Sequence, residues 1–351
     1  MMKAAIISGG SISSEWLFKE MKKLFDEVDH LNIKKIDVCI SGKDAGVYYE
    51  NKRIKEYDCI YARGSHKYSS LLRAIASLTH AYNPLKPSVY TIAHNKLLTH
   101  LDLQEADIPQ PTTYLAINAE LARSILKRVT YPIIIKVPAG THGKGVMIAD
   151  SYESASSMLD ALSLLKQQFI IQEFISTDGT DIRAIVVGNK VAAAMKRKAV
   201  RGEARANIHA GGTGEKIILD LQTRKIAVET AQKIGAEICA VDILKGSSGP
   251  LVLEVNASPG LQGITEATKI NVAEKIAKYL YEKTKERQEK SGKRVVKEAL
   301  SSKQQIVTTL DFRGNRILLP ELATIVAKFG EKKDVVVTAK KGKIVIEEEK
   351  L

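Results

Sequence analysis

Val241-Asp242-Ile243, followed by Leu251-Val252-Leu253-Glu254-Val255-Asn256-Ala257-Ser258-Pro259-Gly260, is the stretch on which the reading of this chain turns. Both runs are short and rich in Val, Leu and Ile, so they read as strands, and the loop at 246–250 allows them to pair. Successive strand side chains point to opposite faces, so Glu254 and Asn256, two apart, share one face. Asp242 delivers a third oxygen from the preceding strand. Three hard oxygen ligands converging on a strand pair suit Mg²⁺ held together with substrate phosphates. The competing reading is a hairpin whose polar face meets water. Against it, Glu254 and Asn256 interrupt an apolar strand, where a buried carboxylate requires a compensating cation.

Upstream, Tyr131-Pro132-Ile133-Ile134-Ile135-Lys136-Val137-Pro138 is an apolar strand ending on a lone lysine. Gly140-Thr141-His142-Gly143-Lys144-Gly145-Val146 follows it. Glycines let backbone N–H groups approach phosphate oxygens, and Lys136 adds charge. The loop lacks the GK[ST] ending of a Walker loop, and an ordinary hairpin connection is the alternative. Ile170-Ile171-Gln172-Glu173-Phe174-Ile175 has apolar flanks suited to a flat purine, with backbone groups to read its edge. Gly179-Thr180-Asp181-Ile182-Arg183 opens another strand, on which Asp181 either accepts from ribose hydroxyls or orients Arg183. Lys196-Arg197-Lys198, Arg201, Arg205 and Asn207 form a cationic cluster suited to bidentate recognition of carboxylate and phosphate oxygens. For Lys198 and Arg201 a solvated loop is the preferred reading.

The 351 residues, 44% of them hydrophobic, suffice for more than one domain. Residues 1–94 alternate short apolar runs (4–7, 36–40, 59–62) with an amphipathic stretch over 14–28, predicting an α/β layer with a mostly parallel sheet. Residues 95–285 hold the strand-rich motifs above and close on a helix over 271–285. Residues 286–303 are charged and read as a linker, or as an extension of that helix. Residues 304–351 read as a small β-rich domain: strands over 306–310, 316–319, 335–339 and 344–348, a helix over 321–329, and a hairpin turn at Lys341-Gly342. Cys39, Cys59 and Cys239 are far apart, each in an apolar stretch, and read as buried thiols of a reducing compartment. The opening Met1-Met2-Lys3-Ala4-Ala5-Ile6-Ile7-Ser8-Gly9-Gly10 is too short in its apolar part for a signal peptide, and no run is long enough to cross a bilayer. A cytoplasmic protein is expected. The net charge of +13 favours acidic partners without choosing among nucleotides, polycarboxylates, acidic proteins and nucleic acid.

Taken in order, Lys96, Lys136 with its Gly-rich loop, Gln172-Glu173-Phe174-Ile175, Asp181-Ile182-Arg183, Arg205-Ala206-Asn207, Asp242 and Glu254-Val255-Asn256 resemble the ATP-grasp superfamily. Within it, the RimK-like glutamate ligases are most similar, above all at 179–183, 205–212 and 254–263. The resemblance covers roughly residues 1–285 and implies an α+β architecture: an N-terminal pre-ATP-grasp layer, then a two-lobed ATP-grasp domain. It implies that Lys96, Lys136, Gly143, Gly145 and Gln172 serve ATP, that Glu173 and Phe174 line the adenine pocket, and that Asp181 sits near the ribose. Arg205 and Asn207 would face the phosphates and the reacting carboxylate, with Arg183 and Arg197 as further catalytic candidates. Asp242, Glu254 and Asn256 would hold two divalent cations, Mg²⁺ with Mn²⁺ as the alternative. The implied chemistry joins an amino acid, glutamate in this family, to a carboxylate through an acyl phosphate, with ADP and phosphate as by-products. The acceptor would be a protein C-terminus, a coenzyme or a small metabolite. Ala204 and Ala206 depart from the aromatic residue and the serine common there, and this loosens the glutamate expectation.

The stretch from Leu310-Asp311-Phe312-Arg313-Gly314-Asn315-Arg316 to Lys343-Ile344-Val345-Ile346 resembles an AbrB-type swapped hairpin, which implies a homo-oligomer and allows nucleic-acid binding. Two alternatives to a ligase therefore stand: a catalytically silent ATP-grasp nucleotide-binding protein, and a metabolite-sensing regulator with its C-terminal module on DNA.

Overall fold

A computed structural model describes residues 1–137, 145–198, 213–247, 249–301, 311–319, 327 and 334–348, with the side chains of 291–301 and 348 excepted. Gly143, Arg205, Asn207, the strand expected over 306–310 and nearly all of the helix expected over 321–329 lie outside the described residues. Two units are formed, Met1–Arg287 and Gln288–Leu351.

The first unit begins with a parallel sheet in which Lys3–Ser8 lies between Glu27–Asn32 and Cys59–Ala62. Ala4, Ala5, Ile6, Ile7 and all of Cys59–Ala62 are buried, the continuous apolar pattern of strands covered on both faces. The helix Ile12–Met21 is capped by Ser11, whose side chain accepts from the Ser14 N–H, and it buries Leu17 and Met21. It stops well short of the predicted end at Val28, because Glu27–Asn32 is a strand. Leu24, Phe25 and Val28 gave the stretch its helical spacing, and all three pack on the same core from non-helical backbone. Phe25 meets the Tyr281 ring edge-on at 5.4 Å between centroids. A small antiparallel sheet of Ile36–Cys39, Gly46–Tyr49 and Lys52–Arg53 flanks this layer in sequence.

Two antiparallel sheets follow. The first runs Thr113–Leu115, Ile170–Glu173, Ile133–Lys136, Val146–Ala149. Its helices, Ala119–Leu126 and Tyr152–Leu164, close a core of their own around Ile125, Ile133, Ile135 and Leu159. The second runs Thr213–Lys216, Lys190–Lys198, Thr180–Val187, Ile238–Gly246, Gly249–Asn256. It shares one continuous core with the N-terminal parallel layer. The N-terminal layer and the five-stranded sheet are thus one packed body, and the four-stranded sheet has its own apolar centre.

The helix Val272–Ser301 buries Val272, Ala273, Ile276, Ala277 and Leu280 along one stripe, then continues through most of the charged segment at 286–303. In the second unit, Asp311–Arg313 pairs with Arg316–Leu318, and Val335–Lys340 pairs with Lys343–Glu348 across Lys341-Gly342. Gly342 turns that hairpin at φ +74°. Among the described residues no helix is long and apolar enough to cross a membrane.

Candidate active site

The five-stranded sheet assembles the charged centre by register. Arg183 is the cross-strand partner of Asp242, and Asp242 is the partner of Glu254. Direct partners in an antiparallel pair project to the same face, so the three side chains form one row across three strands. Asp181 and Arg197 are partners in the adjoining pair, and Asn256 lies opposite Ala240. The register shifts after Asp242, where Ile243 pairs with Val252 and Leu253 is the extra residue.

Asp242 is fully covered. Its Oδ1 accepts from Arg183 Nε at 2.8 Å and its Oδ2 from Arg183 Nη2 at 2.6 Å. Arg197 Nη2 lies 3.0 Å from the same Oδ2, and the Arg197 fork also grips Asp181 at 2.6 and 2.7 Å. Two carboxylates and two guanidiniums therefore interlock in a neutral group. Burial alone would raise the Asp242 carboxyl, but Arg183 and Arg197 hold it well below the usual carboxylate range. Burial raises the Asp181 carboxyl above its ordinary range, against the pull of its pairing with Arg197. Asp181 thus orients Arg197, not Arg183 as the sequence offered; Arg183 belongs to Asp242. Register explains the exchange, since neighbours along a strand are alternately on opposite faces or two residues apart, whereas cross-strand partners touch.

Lys136, at the end of its strand in the four-stranded sheet, is buried and donates to Gln172 Oε1 at 2.6 Å. Burial pushes the Lys136 ammonium down to about 8, with Glu254 opposing the shift and Lys96 adding to it. Lys136, Lys96 and Glu254 hence act within one electrostatic neighbourhood, although they come from three elements. Lys96 begins the helix Lys96–Gln104, capped by the Asn95 side chain, which accepts from the Leu97 and Leu98 N–H groups.

Gln172 is fully buried and committed to protein. Its Nε2 donates to Thr113 Oγ1 at 2.8 Å and to His100 Nε2 at 3.0 Å. His100 Nδ1 meets Gln110 Oε1 at 2.6 Å, and Gln110 Nε2 donates to the His100 carbonyl at 3.0 Å. An amide oxygen only accepts, so His100 carries its proton on Nδ1 and accepts at Nε2. Burial holds its pKa low, consistent with that neutral form. The chain Lys136–Gln172–His100–Gln110 fixes the lysine from behind. Sequence reasoning missed His100, Gln110 and Thr113; the spacing of four between Lys96 and His100 on one helix was the available signal.

Glu173 is exposed. Its Oε2 accepts from the Thr112 N–H at 3.1 Å, and its backbone N–H donates to the Thr112 carbonyl at 2.9 Å. Phe174, half-buried, follows the strand end. Gly145 has φ +74°, its carbonyl accepts from the Val137 N–H at 2.9 Å, and an added Cβ would lie 3.1 Å from that of Val137. It closes the base of the Gly-rich connection.

Among the described residues no three His, Cys, Asp or Glu side chains cluster as a metal site. The donor set to weigh is therefore two carboxylates and one amide. Asp242 and Glu254 are partners, and Asn256 Nδ2 donates to Glu254 Oε1 at 3.3 Å, which leaves the amide oxygen for a cation. An all-oxygen set on one sheet face fits Mg²⁺.

The described backbone superimposes on solved ATP-grasp structures. One is the ATP-grasp ligase PsnB complexed with a phosphomimetic variant of its minimal precursor, Mg and ADP (TM-score 0.64, 17% identity, 81% of this chain and 99% of that one). Another is a RimK domain ATP-grasp protein from Sphaerobacter thermophilus DSM 20745 (TM-score 0.63, 18% identity, 79% and 98%). These define the class: the fold is that of the ATP-grasp proteins. The family model for the RimK-like ATP-grasp domain matches residues 93–280. A probable alpha-L-glutamate ligase from Marinomonas sp. (strain MWYL1) is 35% identical over 290 residues, covering 81% of this chain and 96% of the relative. A protein of the same description from Legionella pneumophila (strain Corby) is 45% identical over 185 residues; the match spans 52% of this chain and 61% of that relative's length. The chain belongs to the RimK-like ATP-grasp family.

Proposed function

We propose that the protein is an ATP-dependent carboxylate–amine ligase that adds glutamate or another amino acid to a carboxylate acceptor. The observation that carries this reading is the row Arg183–Asp242–Glu254, with Lys136 in the field of Glu254. It supplies oxygen donors for cations beside ammonium groups for phosphates, the pairing that nucleotide-dependent phosphoryl transfer requires.

In this reading Lys136 and Lys96 bind ATP phosphates, and Gln172 keeps the Lys136 ammonium aimed. Glu173 and Phe174 line the adenine site and Asp181, through Arg197, steadies the centre. Asp242, Glu254 and Asn256 hold two Mg²⁺ ions, for which Mn²⁺ substitutes; when bound, these screen the phosphate charge and polarise the γ-phosphoryl group. Arg183 and Arg197 fix the Asp242 carboxylate so that it presents its remaining lone pair in one direction. Arg205 and Asn207 serve the reacting carboxylate. A carboxylate oxygen attacks the γ-phosphorus and the bond to ADP breaks. The amine then attacks the acyl carbon, inorganic phosphate leaves, and the nitrogen loses its proton to solvent. Positioning and charge neutralisation supply the catalysis, with no covalent enzyme intermediate. The second unit, whose hairpins expose Phe312, Val336, Val337 and Ile344, is assigned to self-association.

The test is ADP release with ATP, Mg²⁺, pooled amino acids and carboxylate acceptors, followed by mass spectrometry of the products. ADP release that requires both an amino acid and a carboxylate, with a product heavier by one aminoacyl residue, supports the ligase. Absence of amino-acid-dependent ADP across the panel replaces it with a silent nucleotide-binding protein.

A further inference from the structure

Arg63 follows the strand Cys59–Ala62 and is only 4% exposed. Its Nη2 donates to the Pro259 carbonyl, and the Tyr61 ring centroid lies 5.6 Å from the guanidinium carbon. Among the described residues, Nε and Nη1 have no hydrogen-bond partner. Burial pushes its pKa down. A guanidinium enclosed this way is costly, and a part chosen for stability alone would be apolar or paired. Its presence calls for a task.

The task follows from what it touches. Pro259 is three residues beyond Asn256, in the segment that leaves the strand carrying Glu254 and Asn256. That segment is held at two further points by the N-terminal layer. The Gly64 N–H donates to Ser258 Oγ at 3.1 Å, and the Leu261 N–H donates to Ser13 Oγ at 2.8 Å. Ala257, Pro259 and Leu261 are buried. Three clasps from the β-strand end at 63–64 and from the first turn of Ile12–Met21 thus bolt down the exit of the cation strand.

We propose that Arg63 is a positioning residue for the cation site: by holding the Pro259 carbonyl it fixes the backbone behind Glu254 and Asn256 and thereby sets divalent-cation affinity. The inference rests on the function proposed above. Its chemistry is that of a rigid, planar donor, pinned between a ring and one carbonyl, which a flexible neutral side chain does not reproduce.

The experiment measures Mn²⁺ binding by electron paramagnetic resonance in the full-length protein with saturating ADP, and ADP affinity in EDTA by calorimetry. Arg63→Met is expected to weaken Mn²⁺ about tenfold, about 1.4 kcal/mol, with ADP affinity in EDTA unchanged. Arg63→Lys, which keeps a charged donor, is expected to recover to within about threefold of wild type. If Arg63→Met fails to fold by circular dichroism, Ser258→Ala and Ser13→Ala each remove one clasp and are expected to weaken Mn²⁺ about threefold. Mn²⁺ affinity within about twofold of wild type in folded Arg63→Met, or in both serine variants where Arg63→Met does not fold, overturns the positioning role, as does a parallel loss of ADP affinity in EDTA. A wild-type protein that binds no Mn²⁺ with ADP overturns instead the ligase reading on which this inference stands.

Discussion

Lys136→Met tests the buried ammonium directly, because two opposing effects can be separated by pH. The fall of the Lys136 pKa from its ordinary 10.5 to about 8 withholds roughly 3 kcal/mol of native-state stability at pH 7. Methionine fills similar volume and removes that penalty. It also strips Gln172 Oε1 of its donor at 2.6 Å, and an unsatisfied buried acceptor costs about 1–3 kcal/mol. The variant is therefore expected to be more stable than wild type at pH 7, by roughly 1 kcal/mol. Between about pH 8 and 10.5 the unfolded chain binds a proton that the folded chain lacks, so wild-type stability rises with pH there. The variant has no such group. By pH 10 its advantage turns into a deficit, a swing of about 2–3 kcal/mol. Urea unfolding at pH 7 and pH 10 measures this. Far-UV circular dichroism is the appropriate probe, because the lone Trp16 packs with the other apolar core. A stability difference that stays flat between the two pH values refutes the buried-ammonium argument. The same variant is expected to lose nucleotide affinity, and wild-type affinity should fall as pH rises through about 8.

Three further outcomes are expected. Asp242→Asn leaves Arg183 and Arg197 facing a neutral amide in a covered site, at a cost of about 3 kcal/mol, the low end for a broken buried pair because Arg183 reaches some solvent; a thermal midpoint within about 1 °C of wild type would contradict the network. Glu254→Gln is expected to abolish ADP formation while shifting stability by less than about 1 kcal/mol; near-wild-type turnover at limiting Mg²⁺ would remove Glu254 from the cation site. Gly235→Ala, at φ +86° with an added Cβ 2.6 Å from Lys86 Cδ, is expected to destabilise by about 1–2 kcal/mol, read by urea unfolding.

The sequence by itself determined most of the elements and which charged side chains they carry. Strand alternation placed Glu254 and Asn256 together, because a period of two is a local consequence of extended backbone. Short apolar runs alternating with an amphipathic stretch announced a mostly parallel layer, which 4–7 and 59–62 form, whereas 36–39 pairs antiparallel in a separate sheet. Where a local pattern had two solutions it failed: Leu24, Phe25 and Val28 have helical spacing, yet the helix stops at Met21 and the next strand starts at Glu27. Tertiary structure alone decided the partners. Arg183 takes Asp242 across 59 residues, Gln172 takes Lys136 across 36, and Arg63 reaches Pro259 across 196. Which guanidinium meets which carboxylate depends on antiparallel register, and a single residue's shift, such as the one after Asp242, reassigns every cross-strand neighbour beyond it. No window of sequence contains that information, because it is set by how separate strands and layers bury their apolar faces together.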